Sequence, residues 1–165
     1  DRARLAKRGE LGLIPATTLL LMVGSGFRTK GVDRAIEGLA TLKSPDGNQA
    51  HLMVVGHGEA KSYARLAKSL GVSDRLHFLG GRTDVADWML AADLLVHPAR
   101  TENTGTVLLE AMASGLPVLV SVATTSTVSM VIVTLPTPTP VPTSTPLPPP
   151  PPPITISPHT VRVFF

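Results

Sequence analysis

The chain has 165 residues, no cysteine, a net charge of +3, 43% hydrophobic residues and 4% aromatic ones. That is the length of about one domain with enough apolar sequence for a core. The missing thiols exclude a disulfide scaffold and thiolate metal sites, the few aromatics argue against a base-stacking platform for single strands, and the mild charge excess gives no case for a nucleic-acid partner.

The averages hide a split. All 12 acidic residues lie at or before Glu110, and 14 of the 15 Lys and Arg lie at or before Arg100. Twelve of the 16 prolines fall between Pro136 and Pro158. The chain therefore reads as about 120 residues of globular sequence followed by a low-complexity tail. Residues 1–10 mix four basic and two acidic side chains without an apolar run, unlike a secretory signal. The first residue is Asp1 rather than Met, so the chain is expected to begin inside a longer product. The uncharged stretch 116–135 is interrupted by Ser121, Thr124, Thr125, Ser126, Thr127 and Ser129, which argues against a membrane span.

Residues 19–23 are a continuous apolar run ending in Gly24-Ser25-Gly26, which suits a strand buried on both faces. Residues 30–42 have helical spacing, with Val32, Ile36 and Leu39 on one side. The unit then repeats. Strands are expected at 51–55, 75–79 and 94–97, with a fifth starting at 117–120, and helices at 60–70, 84–92 and 104–114, with Thr83 as a cap. Five strands alternating with four helices imply an α/β fold with a Rossmann-like parallel sheet and right-handed crossovers. Ligands of such sheets bind at the carboxyl ends of the strands, where the Gly-rich loops lie.

The loop Gly24-Ser25-Gly26-Phe27-Arg28-Thr29-Lys30-Gly31 is suited to a phosphate. Its glycines let backbone approach, the helix start adds partial positive charge, and Arg28 and Lys30 add full charges. It is neither a Walker A loop nor a dinucleotide fingerprint, and alone it reads equally as a tight turn with surface cations. Glu102 and Glu110 are eight residues apart around the start of the last helix, so both reach the same side of it. Carboxylates there suit sugar or ribose hydroxyls. Taken alone, they read as a dipole-favoured residue and a solvated one.

The order of these features is more specific than any one of them. The phrases VGSGFRTKGVDRAIEGLA and AADLLVHPARTENTGTVLLEAMASGLPVL, with Val54-Val55-Gly56-His57-Gly58 and His77-Phe78-Leu79-Gly80-Gly81-Arg82 between them, resemble the C-terminal, nucleotide-sugar-binding domain of GT-B retaining glycosyltransferases of family 4. Within that family they are most similar to the lipopolysaccharide core glucosyltransferases, which use UDP-glucose. The resemblance covers about residues 1–120.

What it implies is carried residue by residue. Lys30 matches the lysine that neutralises the donor diphosphate, and Arg28 is the nearest candidate for its arginine partner, although the family often places that arginine where this chain has Thr29. Gly24 and Gly26 belong to the same loop. Arg82 matches a residue beside the uracil, Glu110 the glutamate that holds the ribose hydroxyls, and Glu102 the glutamate near the donor sugar. The backbone of Asn103, Thr104, Gly105 and Thr106 is expected to face the diphosphate. No metal or other cofactor is implied beyond the UDP-sugar donor. Residues 1–15 correspond to a remnant of the interdomain linker, 16–120 to a partial donor-binding domain, and 121–165 to the tail. The acceptor-binding N-terminal domain is the missing partner, without which the piece is expected to be inactive. The family places the enzyme in the cytoplasm, at most peripheral to the inner membrane of a Gram-negative bacterium.

Other readings stay beside this one. The chain also fits a non-catalytic nucleotide-binding module, or the product of a damaged gene. The tail reads as a PxxP ligand, an inert solvated segment or a frameshifted translation, and the last is favoured because the charges vanish mid-strand. An unfinished sheet is expected to be marginally stable. His57 reads as a turn residue, His77 and His97 as packed or capped, and Trp88 and Met112 as core. The basic run Arg2, Arg4, Lys7 and Arg8 is too sparse to argue for a membrane surface.

Overall fold

The computed structural model describes residues 2–42, 49–101, 105–124 and 127–133. Helix α1 (Arg2–Glu10) precedes strand β1 (Leu19–Val23), the short helix α2 (Phe27–Lys30) and helix α3 (Val32–Thr41). Strand β2 (His51–Val55), helix α4 (Ala60–Ser69) and strand β3 (Leu76–Gly80) follow. Helix α5 (Val85–Ala91), strand β4 (Leu94–His97), helix α6 (Thr106–Ala113) and strands β5 (Val118–Thr124) and β6 (Thr127–Val133) complete the order.

The sheet runs β3-β2-β1-β4-β5-β6, with β1 to β5 parallel. The strand order reverses at β1, whose neighbours are β2 and β4. Side chains alternate across a strand, so one apolar run feeds two cores. Leu20 and Met22 of β1 join Leu52 and Val54 of β2 under α3, where Val32, Ile36 and Leu39 are buried. Leu19 and Leu21 join Met53 and Val55 on the other face, beneath Trp88 and Met89 of α5 and Ala111 of α6. Each such fully buried side chain contributes roughly 1.5–3 kcal/mol. Trp88 and His97 are buried and His77 is half-buried, while Met112 is only partly buried against the second core.

Helix α1 docks on α5 through cations. Arg4 donates to the carbonyls of Ala91 (2.9 Å) and Ala92 (2.8 Å) and pairs with Asp93. Arg8, 1% exposed, donates to the Ala91 carbonyl (2.8 Å), to Asp93 (3.2 Å) and to the Thr17 carbonyl. The last carbonyls of a helix have no partner within it, and cations at that end satisfy them. Lys7 pairs with Asp84 (2.6 Å) and lies 5.1 Å from the Trp88 ring centre. Among the described residues no helix is long and apolar enough to cross a membrane.

Three expectations are corrected. The helix expected at 30–42 is two pieces, because Gly31 lies between them with the Pro98 carbonyl pressed against it. Thr83 does not cap α5: the helix starts at Val85 behind Asp84, whose carboxylate is occupied by Arg82 and Lys7. The sheet does not stop at Val120. Strand β5 continues to Thr124 and pairs antiparallel with β6, from Thr124↔Thr127 to Val118↔Val133. The run Thr127-Val128-Ser129-Met130-Val131-Ile132-Val133 is rich in β-branched residues, which favour a strand whatever the loss of charge. The proline-rich residues 134–165 lie outside the described residues.

Candidate functional site

The glycine-rich loops meet over the carboxyl ends of β1, β2 and β3. Gly24 donates its amide to the Val55 carbonyl (2.8 Å), Gly56 to Gly80 (2.8 Å) and Gly26 to His57 (3.0 Å). The Ser25 hydroxyl accepts from the His57 amide at 3.0 Å. These bonds carry the sheet ladder past the strand ends and bring three loops to one edge. They enclose a cleft of about 430 Å³ walled by Val23–Ser25, Val55–His57, Gly81–Thr83 and Val85.

The close approach depends on glycine. A Cβ on Gly56 (φ 140°) would sit 2.2 Å from the Gly24 carbonyl oxygen and 3.1 Å from the Ser25 nitrogen. The His57 ring fills the space a Cβ on Gly81 would need. A Cβ on Gly24 (φ 148°) would meet the Lys30 stem instead, with Cε at 3.1 Å and Cγ at 3.2 Å. The Lys30 side chain therefore lies along Gly24, itself part of the cleft wall. Phe27 anchors the loop. Buried, it stacks on Phe78 (5.6 Å) and meets Tyr63 edge-on (5.8 Å), clamping α2 between β3 and α4.

Of the residues singled out in the sequence, Gly24 and Arg82 line the cleft. Lys30 is half-buried against Gly24, and Gly26 fixes the loop to His57. Arg28 is exposed on α2. Thr106 and Glu110 are exposed on α6, behind Gly105, and are not wall residues. Glu102, Asn103 and Thr104 lie outside the described residues. Gly24 and Arg82 thus share the cleft wall, whereas Arg28, Lys30, Thr106 and Glu110 are not among its lining residues.

Charge at the cleft is arranged by ion pairs. Arg82 forks onto Asp84, with bonds of 2.8 and 2.7 Å, and Lys7 adds a third bond to the same carboxylate. The hydrogen bonds from Arg82 and Lys7 hold the Asp84 carboxyl far below the usual carboxylate range. At the other end of the loop, Arg100 pairs with Asp33 and lowers its pKa through the same kind of hydrogen bond. Among the described residues no group of three or more His, Asp or Glu is placed to hold a metal ion.

Sequence reading missed Ser25, Thr83 and Val85 as wall residues, and Arg100 and Asp33 as partners. The aromatic anchor Phe27 was missed too. Its signal was present: an aromatic directly after the second glycine of a phosphate-type loop has to be buried somewhere.

The chain is similar to proteins of one kind. A profile of the family described as glycosyl transferases group 1 matches residues 4–133. The lipopolysaccharide glucosyltransferase WaaG of Escherichia coli (strain K12) is 48% identical over 114 residues, 69% of this chain and 30% of that protein. The crystal structure of WaaG superposes with a TM-score of 0.67 at 47% identity, covering 72% of this chain and 32% of that one. Anabaena Alr3699/HepE, in complex with UDP-glucose, superposes with a TM-score of 0.65 at 29% identity, covering 72% and 33%. The chain thus spans about a third of the length of these relatives.

Proposed function

The chain belongs to the group 1 glycosyltransferases, and on that premise we propose that it is the donor-binding half of a glucosyltransferase taking UDP-glucose. The observation that carries this reading is the cleft itself. It opens over the carboxyl ends of β1, β2 and β3, it is walled by glycine backbone, and the Lys30 stem lies along one wall. Backbone without side chains admits a nucleotide closely, and the positive charge of a lysine whose stem packs on that backbone favours a diphosphate. A HepE structure of the same fold is a complex with UDP-glucose, which fits a ligand of this class.

In this reading UDP leaves with negative charge growing on its β-phosphate. Lys30 and Arg28 stabilise that charge more in the transition state than in the ground state, which is the part of binding that accelerates reaction. Arg82 sits beside the uracil. Glu110 holds the ribose hydroxyls and Glu102 the donor sugar, reached from α6 and its approach once the donor is seated. Side chains supply the positive charge, so no metal takes part. The anomeric configuration is retained. The acceptor is a sugar of the lipopolysaccharide core, a reading in line with the Escherichia coli relative's name as a lipopolysaccharide glucosyltransferase. It binds to the part of the longer relatives that this chain does not match. The work is done in the cytoplasm, peripheral to the inner membrane.

Calorimetry with UDP tests the reading, with circular dichroism first showing that each sample is folded. One UDP binds per chain, and Lys30→Ala weakens it about 10- to 100-fold, the range for losing a charge-assisted hydrogen bond. A folded chain that takes no UDP, or a Lys30→Ala variant that binds as well as the parent, overturns it.

A further inference from the structure

The segment that carries Arg28 and Lys30 is held from a second loop. Arg100 follows β4, the strand beside β1. Its backbone amide donates to the Thr29 carbonyl at 2.8 Å. Its Nη1 donates to the Arg28 carbonyl at 2.9 Å and to Asp33 at 2.8 Å, while Nη2 completes a fork on the same carboxylate. Arg100 thus grips α2 at two consecutive carbonyls and α3 at its first turn. The Pro98 carbonyl presses on Gly31 between those two helices, and Arg34 reaches back to the same carbonyl at 3.5 Å. Pro98 and Arg100 of one loop thus meet five residues of the other segment.

We propose that Arg100 is a positioning residue for donor binding: paired with Asp33, it fixes the α2–α3 turn so that the side chains of Arg28 and Lys30 face the diphosphate. The inference rests on the nucleotide reading above. It assigns Arg100 no contact with the ligand. Three of its N–H groups are engaged by a carboxylate and a carbonyl, which pairs its charge with Asp33 and fixes its orientation. A lysine in its place keeps the charge and loses the fork.

The opposite role, Arg100 as a direct phosphate ligand, makes the opposite prediction for Asp33. If Arg100 binds the diphosphate, Asp33→Asn releases it and UDP binds more tightly. If Arg100 positions the turn, Asp33→Asn loosens the turn and UDP binds more weakly.

The experiment measures UDP and uridine affinities on the full chain for the parent, Arg100→Gln, Arg100→Lys and Asp33→Asn, with amide hydrogen exchange on each. UDP affinity is expected to fall about fivefold in Arg100→Gln and in Asp33→Asn, the factor that ~1 kcal/mol makes. Uridine affinity stays unchanged, because only the diphosphate depends on this turn. Arg100→Lys recovers part of the loss. Exchange quickens at residues 27–33 and not in β1 or β2, which separates a loosened turn from a damaged fold. Tighter UDP binding by Asp33→Asn overturns the proposal, as do equal losses for uridine and UDP, or unchanged exchange at 27–33. If the parent binds no UDP at all while exchange at 27–33 still responds to Arg100→Gln, the clamp stands, and both the nucleotide reading and the positioning role that rests on it fall.

Discussion

Replacing Gly56 with alanine tests whether the cleft is built by direct contact between two backbones. The new Cβ would lie 2.2 Å from the Gly24 oxygen and 2.6 Å from its carbon, so neither strand end can yield without moving the other. A comparison is built into the same wall. Gly24→Ala carries nearly the same backbone strain (φ 148° against 140°), yet its Cβ meets only the flexible Lys30 stem at 3.1–3.3 Å. Forcing an alanine into this region of φ costs about 1–3 kcal/mol in either variant. The backbone clash adds about 1–3 kcal/mol for Gly56→Ala alone. At roughly 3–5 °C per kcal/mol for a domain of this size, Gly56→Ala should melt about 3–15 °C below Gly24→Ala. Thermal melts by circular dichroism read this directly. The two variants should separate in function as well: Gly24→Ala displaces the lysine and loses UDP affinity out of proportion to its smaller thermal loss. Equal melting temperatures would refute the packing of β1 and β2 termini described above.

Asp93 accepts from the Leu19 amide at 2.7 Å and pairs with Arg4 and Arg8, and Asp93→Ala strips all three at once. With Arg8 only 1% exposed, the loss should be about 3 kcal/mol in a urea titration; a loss below about 1 kcal/mol would show that α1 is held by other contacts. Stability should fall as pH drops below about 6.5, the ordinary histidine value. His51 and His77 stack with Nδ1 and Nε2 3.0 Å apart. Burial lowers both pKa values, and the neighbouring His77 lowers that of His51 further. The unfolded chain therefore binds protons the folded chain refuses, so this contribution is complete above the unfolded value and is lost as pH falls towards the folded one. The lowered carboxyls Asp33, Asp84 and Asp93 lose their contribution only in stronger acid, below about pH 4. Melts between pH 7 and 5 should flatten in a His51→Gln, His77→Gln double variant, and an unchanged slope would place the titration elsewhere.

Much of the fold was legible because apolar runs and glycines do local work. Leu19 to Val23 is apolar at every position, so it names a central strand without reference to anything distant. Gly24, Gly26 and Gly56 mark loops that must come close. Three features were hidden, two of them because they depend on contacts far apart in sequence. Nothing near Gly31 announces the Pro98 carbonyl that splits the helix. Asp84 looks like a helix-starting residue until Arg82 and Lys7 claim it. Strand β6 was masked by the loss of charge, although its Val and Ile residues carried the strand signal. The site divides in the same way. Lys30 stood out by its place in the glycine loop after β1 and Arg82 only through the family resemblance, whereas the Arg100–Asp33 pair joins residues 67 apart and leaves no local pattern.

The most direct measurement is a map of amide chemical-shift changes as UDP is added to the labelled chain. The account predicts changes concentrated at Gly24–Lys30, Gly56–His57 and Gly81–Thr83, with β6 silent. Changes centred on α1 or on the β5–β6 edge, with those loops unmoved, would contradict it.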